Sequence, residues 1–251
     1  MANRGIASGT AFYLYGISKS SGAKPGKVAA VGIDGVHPVR SIAHGNFICW
    51  VSAVDPKSFS DAINSNMENL EWLALHGVRH QQVVAEIFAG QTIIPARFGT
   101  VFSGEPALVK NLQERESALK KVFAKISSSE EWGVKIFAEQ APAAPVAQQV
   151  RSGKDYLQLK AAKLKKRPDR DSAGLKELAT KLEKIAIDSA STGKVSGSQP
   201  NLLWQATFLV PKGRRKQWDG VLKEFVEKWS GKRRIEVNGP WPPYSFVADA
   251  E

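Results

Sequence analysis

The sequence predicts an α+β protein of two domains, of which the second is ferredoxin-like. Strand-like and helix-like apolar patterns alternate along the 251 residues, and that length suits two domains of about 100–150 residues each. From residue 129 onward the patterns run strand, long helical arm, strand, helix, strand, which is typical of a ferredoxin-like sandwich. We therefore expect an N-terminal α+β domain over residues 1–128 and a C-terminal domain over residues 129–251.

Four segments predict the strands of the first domain. AFYLYGI (11–17) is rich in aromatic residues and is followed by a loop of turn formers. HPVRSIA (37–43) and FICWVSAV (47–54), joined by a tight turn, predict a hairpin at a sheet edge. QTIIPARFGTVF (91–102) predicts a short strand that its proline interrupts, because proline cannot donate to a sheet ladder.

Two amphipathic helices are predicted in the same domain. Apolar residues, including Leu70 and Leu73, recur at helical spacing over 67–88 and predict one long helix with a buried stripe. The segment 103–126 predicts a second helix, which begins with Ser103 as a candidate cap and a proline near its first turn.

In the second domain the apolar periodicity changes between strand and helix several times. LLWQATFLV, the strand with the most continuous apolar run, is expected at the centre of the sheet. The predicted strands are EWGVKIF (131–137), LLWQATFLV (202–210) and RRIEVNG (233–239), and the predicted helices are 152–166, 173–187 and 214–229.

The chain is strongly basic, with a formal net charge of +11. The basic runs lie in the C-terminal half, at 163–170, 212–216 and 231–234. No recognition motif accompanies them, so a solvated basic face is favoured over a phosphate-binding surface. Binding of nucleic acid or of another anionic surface is the alternative that the charge supports.

Cysteine content and hydropathy bear on the compartment. The single Cys49 cannot form an internal disulfide, which fits a reducing cytoplasm, and it lies in an apolar run with no base beside it. No signal-peptide pattern and no run of about 18 uncharged apolar residues occurs, so we expect neither export nor a membrane span.

No catalytic, metal or cofactor site is predicted. His76 and His80 stand four apart on one helix, a spacing that can present two imidazoles to zinc, but no third ligand accompanies them. A hydrogen-bonded core histidine or a partner-facing one is favoured. Glu130 and Glu131 are adjacent on a predicted strand and point to opposite faces. The glycines of 89–104 do not form a phosphate loop. We therefore expect a protein that is not an enzyme.

Seven short segments, in order along the chain, carry a resemblance to known proteins: YLYGI (13–17), NLEWLALHGVRH (69–80), IIPARFGTVF (93–102), EWGVKIF (131–137), SGKDYLQLK (152–160), FLVP (208–211) and GPWPPYSF (239–246). The most specific are the central PxRFGT and the closing GPWPPYSF. In these segments the chain is similar to one known family, the gas vesicle protein F and L family.

The resemblance implies a two-domain α+β protein with a ferredoxin-like C-terminal domain. It further implies an accessory or minor structural component of gas vesicles, the gas-filled protein shells that give prokaryotic cells buoyancy, with a cytoplasmic or vesicle-bound location. The expected partners are the small hydrophobic shell protein and other accessory proteins, without specific nucleic acid, and no cofactor is implied.

The closing proline-rich segment has two interpretations. Its prolines restrict the backbone, so either Trp241 plugs the core of the second domain or Trp241 and Tyr244 form a rigid aromatic ridge that docks a partner. Arg97 and Phe98, beside the edge-disrupting Pro95, are the other candidate partner-binding residues.

Overall fold

The computed structural model describes residues 10–20, 22, 26–55, 65–66, 68–139, 172–190, 199 and 201–248. The chain divides into two compact units, Met1–Glu130 with Trp241–Glu251, and Glu131–Pro240. The division falls close to the predicted boundary after residue 128. The last eleven residues, which the prediction assigned to the second domain, group with the first unit instead.

The first unit is built on an antiparallel sheet. Its strands are β1 (Ala11–Lys19), β2 (Arg40–His44), β3 (Phe47–Val54), β4 (Ile93–Pro95) and β5 (Val101–Phe102). The order is β2-β3-β1-β4, and β5 also pairs with β1. The predicted β2–β3 hairpin at the sheet edge is confirmed, and the short β4 ends at its proline on the opposite edge.

The helices described in full in this unit are α1 (Leu70–Gly90), α2 (Glu105–Glu114) and α3 (Glu116–Ile126). The Asn69 side chain caps α1 by accepting hydrogen bonds from two backbone amides of its first turn. The single helix predicted over 103–126 is wrong, because Arg115, at φ −102° and ψ 6°, leaves the helical region and separates α2 from α3. Gly104, not Ser103, occupies the N-cap of α2.

The buried stripe of α1 differs from the predicted one at the start of the helix. Its buried residues are His80, Val83, Val84 and Ile87. The prediction that Leu70 joins the stripe is wrong, since this side chain is 80% exposed. The first two turns contribute no fully buried side chain to the core. The core side of α1 packs on one face of β1, against Tyr13 and Tyr15.

In the described residues the second unit follows the predicted order of strand, helical arm, strand, helix, strand and adds a short strand after the helical arm, which was not predicted. It contains β6 (Ser129–Ala138), α4 (Ser172–Glu183), β7 (Asp188–Ala190), β8 (Leu202–Pro211), α5 (Arg215–Lys228) and β9 (Arg233–Trp241). The strand order β7-β8-β6-β9 places β8 and β6 at the centre, which agrees with the ferredoxin-like β-α-β-β-α-β arrangement. The helical pattern predicted over 152–166 lies outside the described residues.

The core of the second unit lies between this sheet and helices α4 and α5. Trp218, Phe225 and Leu178 are buried there, and the Phe208 ring packs edge-on against Trp218 at a centroid distance of 4.9 Å. The helix predicted over 214–229 is therefore confirmed as α5, and it buries one apolar face. Among the helices in the described part of the chain, none combines the length and apolarity needed to cross a bilayer.

Several arginines of the basic runs have local partners within the second unit. The Arg215 guanidinium lies 3.5 Å from the centre of the Trp132 ring and pairs with Asp219. Arg233 lies over Trp229, and Arg234 lies over Phe137. These contacts support the fold through cation–π attraction and stem packing. The run at 163–170 lies outside the described residues.

Candidate functional site

His80 lies at the centre of an aromatic cluster in the first unit. Its ring is 1% exposed, and both ring nitrogens have tyrosine partners: Nδ1 lies 2.9 Å from the Tyr13 hydroxyl, and Nε2 lies 3.2 Å from the Tyr244 hydroxyl. Tyr13 comes from β1 and Tyr244 from the end of the chain. One helix residue thus joins the central strand to the C-terminal segment.

The Tyr13 hydroxyl bonds to both a backbone amide and the His80 ring. The Tyr13 hydroxyl accepts the Gly99 amide at 3.1 Å, so its own proton is available to His80 Nδ1. When Nδ1 accepts this proton, the ring proton of the neutral imidazole lies on Nε2, which faces the Tyr244 hydroxyl. Burial lowers the pKa of His80 to about 4, although a backbone hydrogen bond with Ala96 opposes the shift. The imidazole is therefore neutral near pH 7.

The neighbouring Tyr15 closes the cluster on its inner side. Its hydroxyl accepts the Ile33 amide at 2.6 Å and lies 2.8 Å from the Ser52 hydroxyl. Burial raises the pKa of Tyr15 to about 12 and raises the pKa of Tyr13 as well. Both phenols are thus held protonated, and they serve as hydrogen-bond partners in the core.

Phe98 completes the cluster from the turn between β4 and β5. Its ring lies 6.0 Å from His80 and 6.3 Å from Trp72, both nearly edge-on. Gly99 makes this turn possible because its φ of 89° is a conformation that side chains with a Cβ rarely adopt. The turn holds Phe98 against the cluster, whereas the neighbouring Arg97 is exposed.

The closing segment leaves β9 and packs onto the first unit. At Gly239, where φ is 139°, an added Cβ would lie 2.8 Å from the Glu131 carbonyl oxygen, so the strand passes its neighbour too closely for a larger residue. Beyond the strand, Phe246 and Val247 are buried. Trp241 at the end of β9 is 52% exposed, so it is not the core plug that one interpretation predicted.

The four candidate partner-binding residues therefore fall into two pairs. Phe98 and Tyr244 are partly buried and meet at His80. Arg97 and Trp241 have exposed side chains. Sequence reasoning missed the meeting point, because His80 and Tyr244 are 164 residues apart. The sequence feature that could have indicated a buried His80 is its position in the apolar stripe of α1.

His76 and His80 have different surroundings despite their shared helix. His76 donates from Nδ1 to the backbone carbonyl of Trp72 at 2.8 Å. Its ring also stacks on the Trp72 ring at a centroid distance of 4.0 Å. Across the described residues, no three His, Cys, Asp or Glu side chains come together as potential ligands of a metal ion. Cys49 is buried, and burial raises the pKa of its thiol to about 12, which makes it a poor nucleophile.

The depressed pKa of His80 predicts a specific pH dependence of stability. Below about pH 6.5 the unfolded chain takes up a proton that the folded protein resists until about pH 4. Stability is therefore full above pH 6.5 and falls as the pH drops from 6.5 to 4, by about 3 kcal/mol at most. Urea unfolding of the wild type and of His80→Gln at several pH values measures the difference. A constant difference across this window would contradict a buried, neutral His80.

Comparisons with known proteins identify a family model and several similar proteins. The family model described as "Gas vesicle synthesis protein GvpL/GvpF" matches residues 11–248. "Gas vesicle protein L" of Streptomyces sp. (strain CB03234) is 28% identical over 260 residues, covering 95% of this chain and 93% of that protein. "Gas vesicle protein F" of the same organism is 27% identical over 259 residues, covering 94% of this chain and 98% of that protein.

Two crystal structures share the fold. The gas vesicle protein GvpF from Anabaena sp. PCC7120 superposes with a TM-score of 0.66 at 21% identity, covering 95% of this chain and 96% of that one. GvpF from Microcystis aeruginosa superposes with a TM-score of 0.64 at 20% identity, covering 94% of this chain and 98% of that one. Because the family model spans nearly the whole chain, this protein belongs to the GvpL/GvpF family of gas vesicle synthesis proteins.

Proposed function

We propose that this protein is a non-enzymatic accessory or minor structural component of gas vesicles, which binds the small hydrophobic shell protein or other accessory proteins during assembly. The observation that carries the proposal is an exposed Trp241 on an anchored, proline-stiffened segment, in a member of a gas vesicle protein family. A large aromatic side chain held in place loses little entropy when it binds, and such residues dominate many protein interfaces.

The anchoring of the segment supports Trp241 as a docking residue. Pro242 and Pro243 follow it and are buried, Tyr244 bonds to His80, and Lys125 lies 5.7 Å from the centre of the Phe246 ring. The backbone on the C-terminal side of Trp241 is thus fixed to the first unit. In this proposal Phe98 and Tyr244 hold the supporting cluster, while Arg97 and Trp241 present their side chains to a partner.

A need for such a partner follows from the shell subunit itself. A small protein that faces gas must carry a large apolar surface, and such surfaces aggregate in water before assembly. A partner that covers this surface would keep the subunit competent to assemble. Binding to nucleic acid receives less support, because Arg215, Arg233 and Arg234 already contact aromatic rings of their own unit.

Deletion of the gene tests the proposed role in cells. We expect vesicles to be absent or deformed while the shell protein is still synthesised and collects in the insoluble fraction. Electron microscopy of the cells and immunoblotting of soluble and insoluble fractions measure both results, with the wild-type gene on a plasmid as the control. Normal vesicles in the deletion strain would contradict the proposal.

A further inference from the structure

A cavity of about 250 Å³ lies beside the strands β1 and β4 of the first unit. Five of its lining residues are apolar: Leu14, Ile17, Ile94, Pro95 and Ala96. Since one water molecule takes up about 30 Å³ in the liquid, the cavity has room for about eight non-hydrogen atoms. Water against apolar walls finds few hydrogen-bond partners, so an apolar group that displaces this water binds favourably.

An irregularity in β1 shapes the apolar wall. The ladder to β3 passes from Leu14 directly to Gly16, so Tyr15 is an extra residue in the strand. In a regular strand, residues three apart point to opposite faces. Because of this bulge, Leu14 and Ile17 line the same cavity. Bulges commonly redirect side chains in this way next to functional sites.

The polar side of the cavity is formed by Arg97, Thr100 and Arg115, and none of the described lining residues is acidic. Arg97 is exposed, and Arg115 is half-buried at the break between α2 and α3. The Thr100 hydroxyl donates to the Arg97 carbonyl at 2.8 Å, so the two guanidinium groups supply the charged donors. A guanidinium has five N–H donors and can bind a carboxylate through two parallel hydrogen bonds.

The surroundings of Arg115 orient its side chain and keep its charge. Its Nη1 donates to the neutral Asn111 Oδ1 at 3.0 Å. The two glutamates beside Arg115 in sequence form ion pairs with lysines of their own helices, at 3.8 and 2.7 Å. Arginine is not deprotonated in proteins, so the cavity combines positive charge with an apolar wall.

Hydrogen bonds to β1 hold the turn that carries Arg97. The Ala96 amide donates to the Tyr15 carbonyl at 2.9 Å. At the other end of the turn, the Leu14 amide donates to the Thr100 carbonyl, also at 2.9 Å. Both ends of the turn are therefore fixed to one strand. A site that is held in this way loses little entropy when a ligand binds.

We propose that this cavity binds an aliphatic carboxylate of about six carbons, with the carboxylate group at Arg97 and Arg115 and the aliphatic chain against the apolar wall. Such a molecule has about eight non-hydrogen atoms, which matches the volume. The same chemistry occurs in a free short-chain carboxylic acid and in the C-terminal residue of a polypeptide with an apolar side chain. The inference goes beyond the proposed function, because it concerns a ligand of the first unit alone.

A chain-length series tests the cavity in the full-length protein. Acetate, butanoate, hexanoate and decanoate are titrated while NMR records the methyl signals of Leu14, Ile17 and Ile94. Each buried methylene contributes about fourfold in affinity, so binding should tighten at least tenfold from acetate to hexanoate. It should then level off, because further carbons lie outside the cavity. Affinity that keeps rising to decanoate, or the lack of saturable binding, would overturn the inference.

A neutral ligand and charge variants test the two arginines. Hexanamide, which lacks the charge of hexanoate, should bind at least tenfold more weakly. Arg97→Gln and Arg115→Gln should each weaken hexanoate binding at least tenfold. Lys110→Gln, which removes the same charge from a 76% exposed position of α2, should not. Because Arg97 is exposed, its variant decides the question even where Arg115→Gln lowers the melting temperature. Unchanged affinity in Arg97→Gln, or tighter binding of inorganic phosphate than of hexanoate, would contradict a carboxylate site.

Two further probes identify the source of the carboxylate. N-acetylleucine carries the terminal carboxylate and an apolar side chain of a polypeptide, and N-acetylleucinamide lacks the charge. Tighter binding of N-acetylleucine than of hexanoate, lost in the amide, would assign the site to a protein C-terminus, and the reverse order would assign it to a free acid. Failure of both carboxylates to bind would overturn the inference but not the proposed function, which capture of the shell protein tests separately.

Discussion

Replacing His80 by alanine is expected to lower the free energy of unfolding of the first unit by about 3 kcal/mol. The change removes two hydrogen bonds from a buried site, one to the Tyr13 hydroxyl and one to the Tyr244 hydroxyl. It also removes a ring that packs against Tyr13, Tyr15 and Phe98. For a chain of this size the melting temperature should fall by roughly 6–12 °C, which calorimetry measures.

His76→Ala is the matched control because it lies one turn away on the same helix. His76 stacks on Trp72 and bonds to the carbonyl of its own helix, so its loss should cost less than about 1 kcal/mol. Tyr244→Phe should fall between the two, near 1 kcal/mol, because it removes one hydrogen bond only. Equal effects of the two histidine variants would show that His80 is not the centre of the cluster.

Trp241→Ala is expected to separate binding from stability. Since the side chain is 52% exposed, its loss should change the free energy of unfolding by at most about 1 kcal/mol. Capture of the shell protein should fall at least tenfold, as it does when an aromatic residue worth about 2 kcal/mol is removed from an interface. Calorimetry and affinity capture on the same preparation measure the two quantities.

Val237→Ala provides the control for this change. Val237 lies on the same strand, β9, and is 36% exposed. Its replacement should leave both stability and capture near the wild-type values. A loss of several kcal/mol in Trp241→Ala would mean that the side chain supports the fold, and unchanged capture would mean that the interface lies elsewhere.

Local periodicity is sufficient to predict most of the architecture. The apolar run FICWVSAV predicts a strand at 47–54, and β3 is found there. The apolar stripe of α5 follows from a pattern of period 3.6, and the internal position of β8 in its sheet follows from the nearly continuous apolar run LLWQATFLV. Each of these elements buries one face, so the spacing of apolar residues within the segment is enough to predict it.

Features set by contacts distant in sequence are not predictable in this way. Nothing beside Arg115 marks it as a break, because neither glycine nor proline interrupts the helical pattern around it. The apolar spacing that predicts a buried Leu70 is real, but the residue lies where no core surrounds it. Likewise, the bond from Tyr244 to His80 joins the closing proline-rich segment to α1, and the sequence around either residue does not reveal it.

The most direct test of the proposed function is the state of the shell protein when it is co-expressed with this chain. Size-exclusion chromatography with light scattering, followed by mass spectrometry of the peak, measures whether the two form a soluble complex. We expect a discrete complex of defined stoichiometry that contains both proteins, and insoluble shell protein when this chain is omitted. Shell protein that stays insoluble in the presence of this chain, or elutes apart from it, would contradict the proposal that the protein acts by binding the shell subunit.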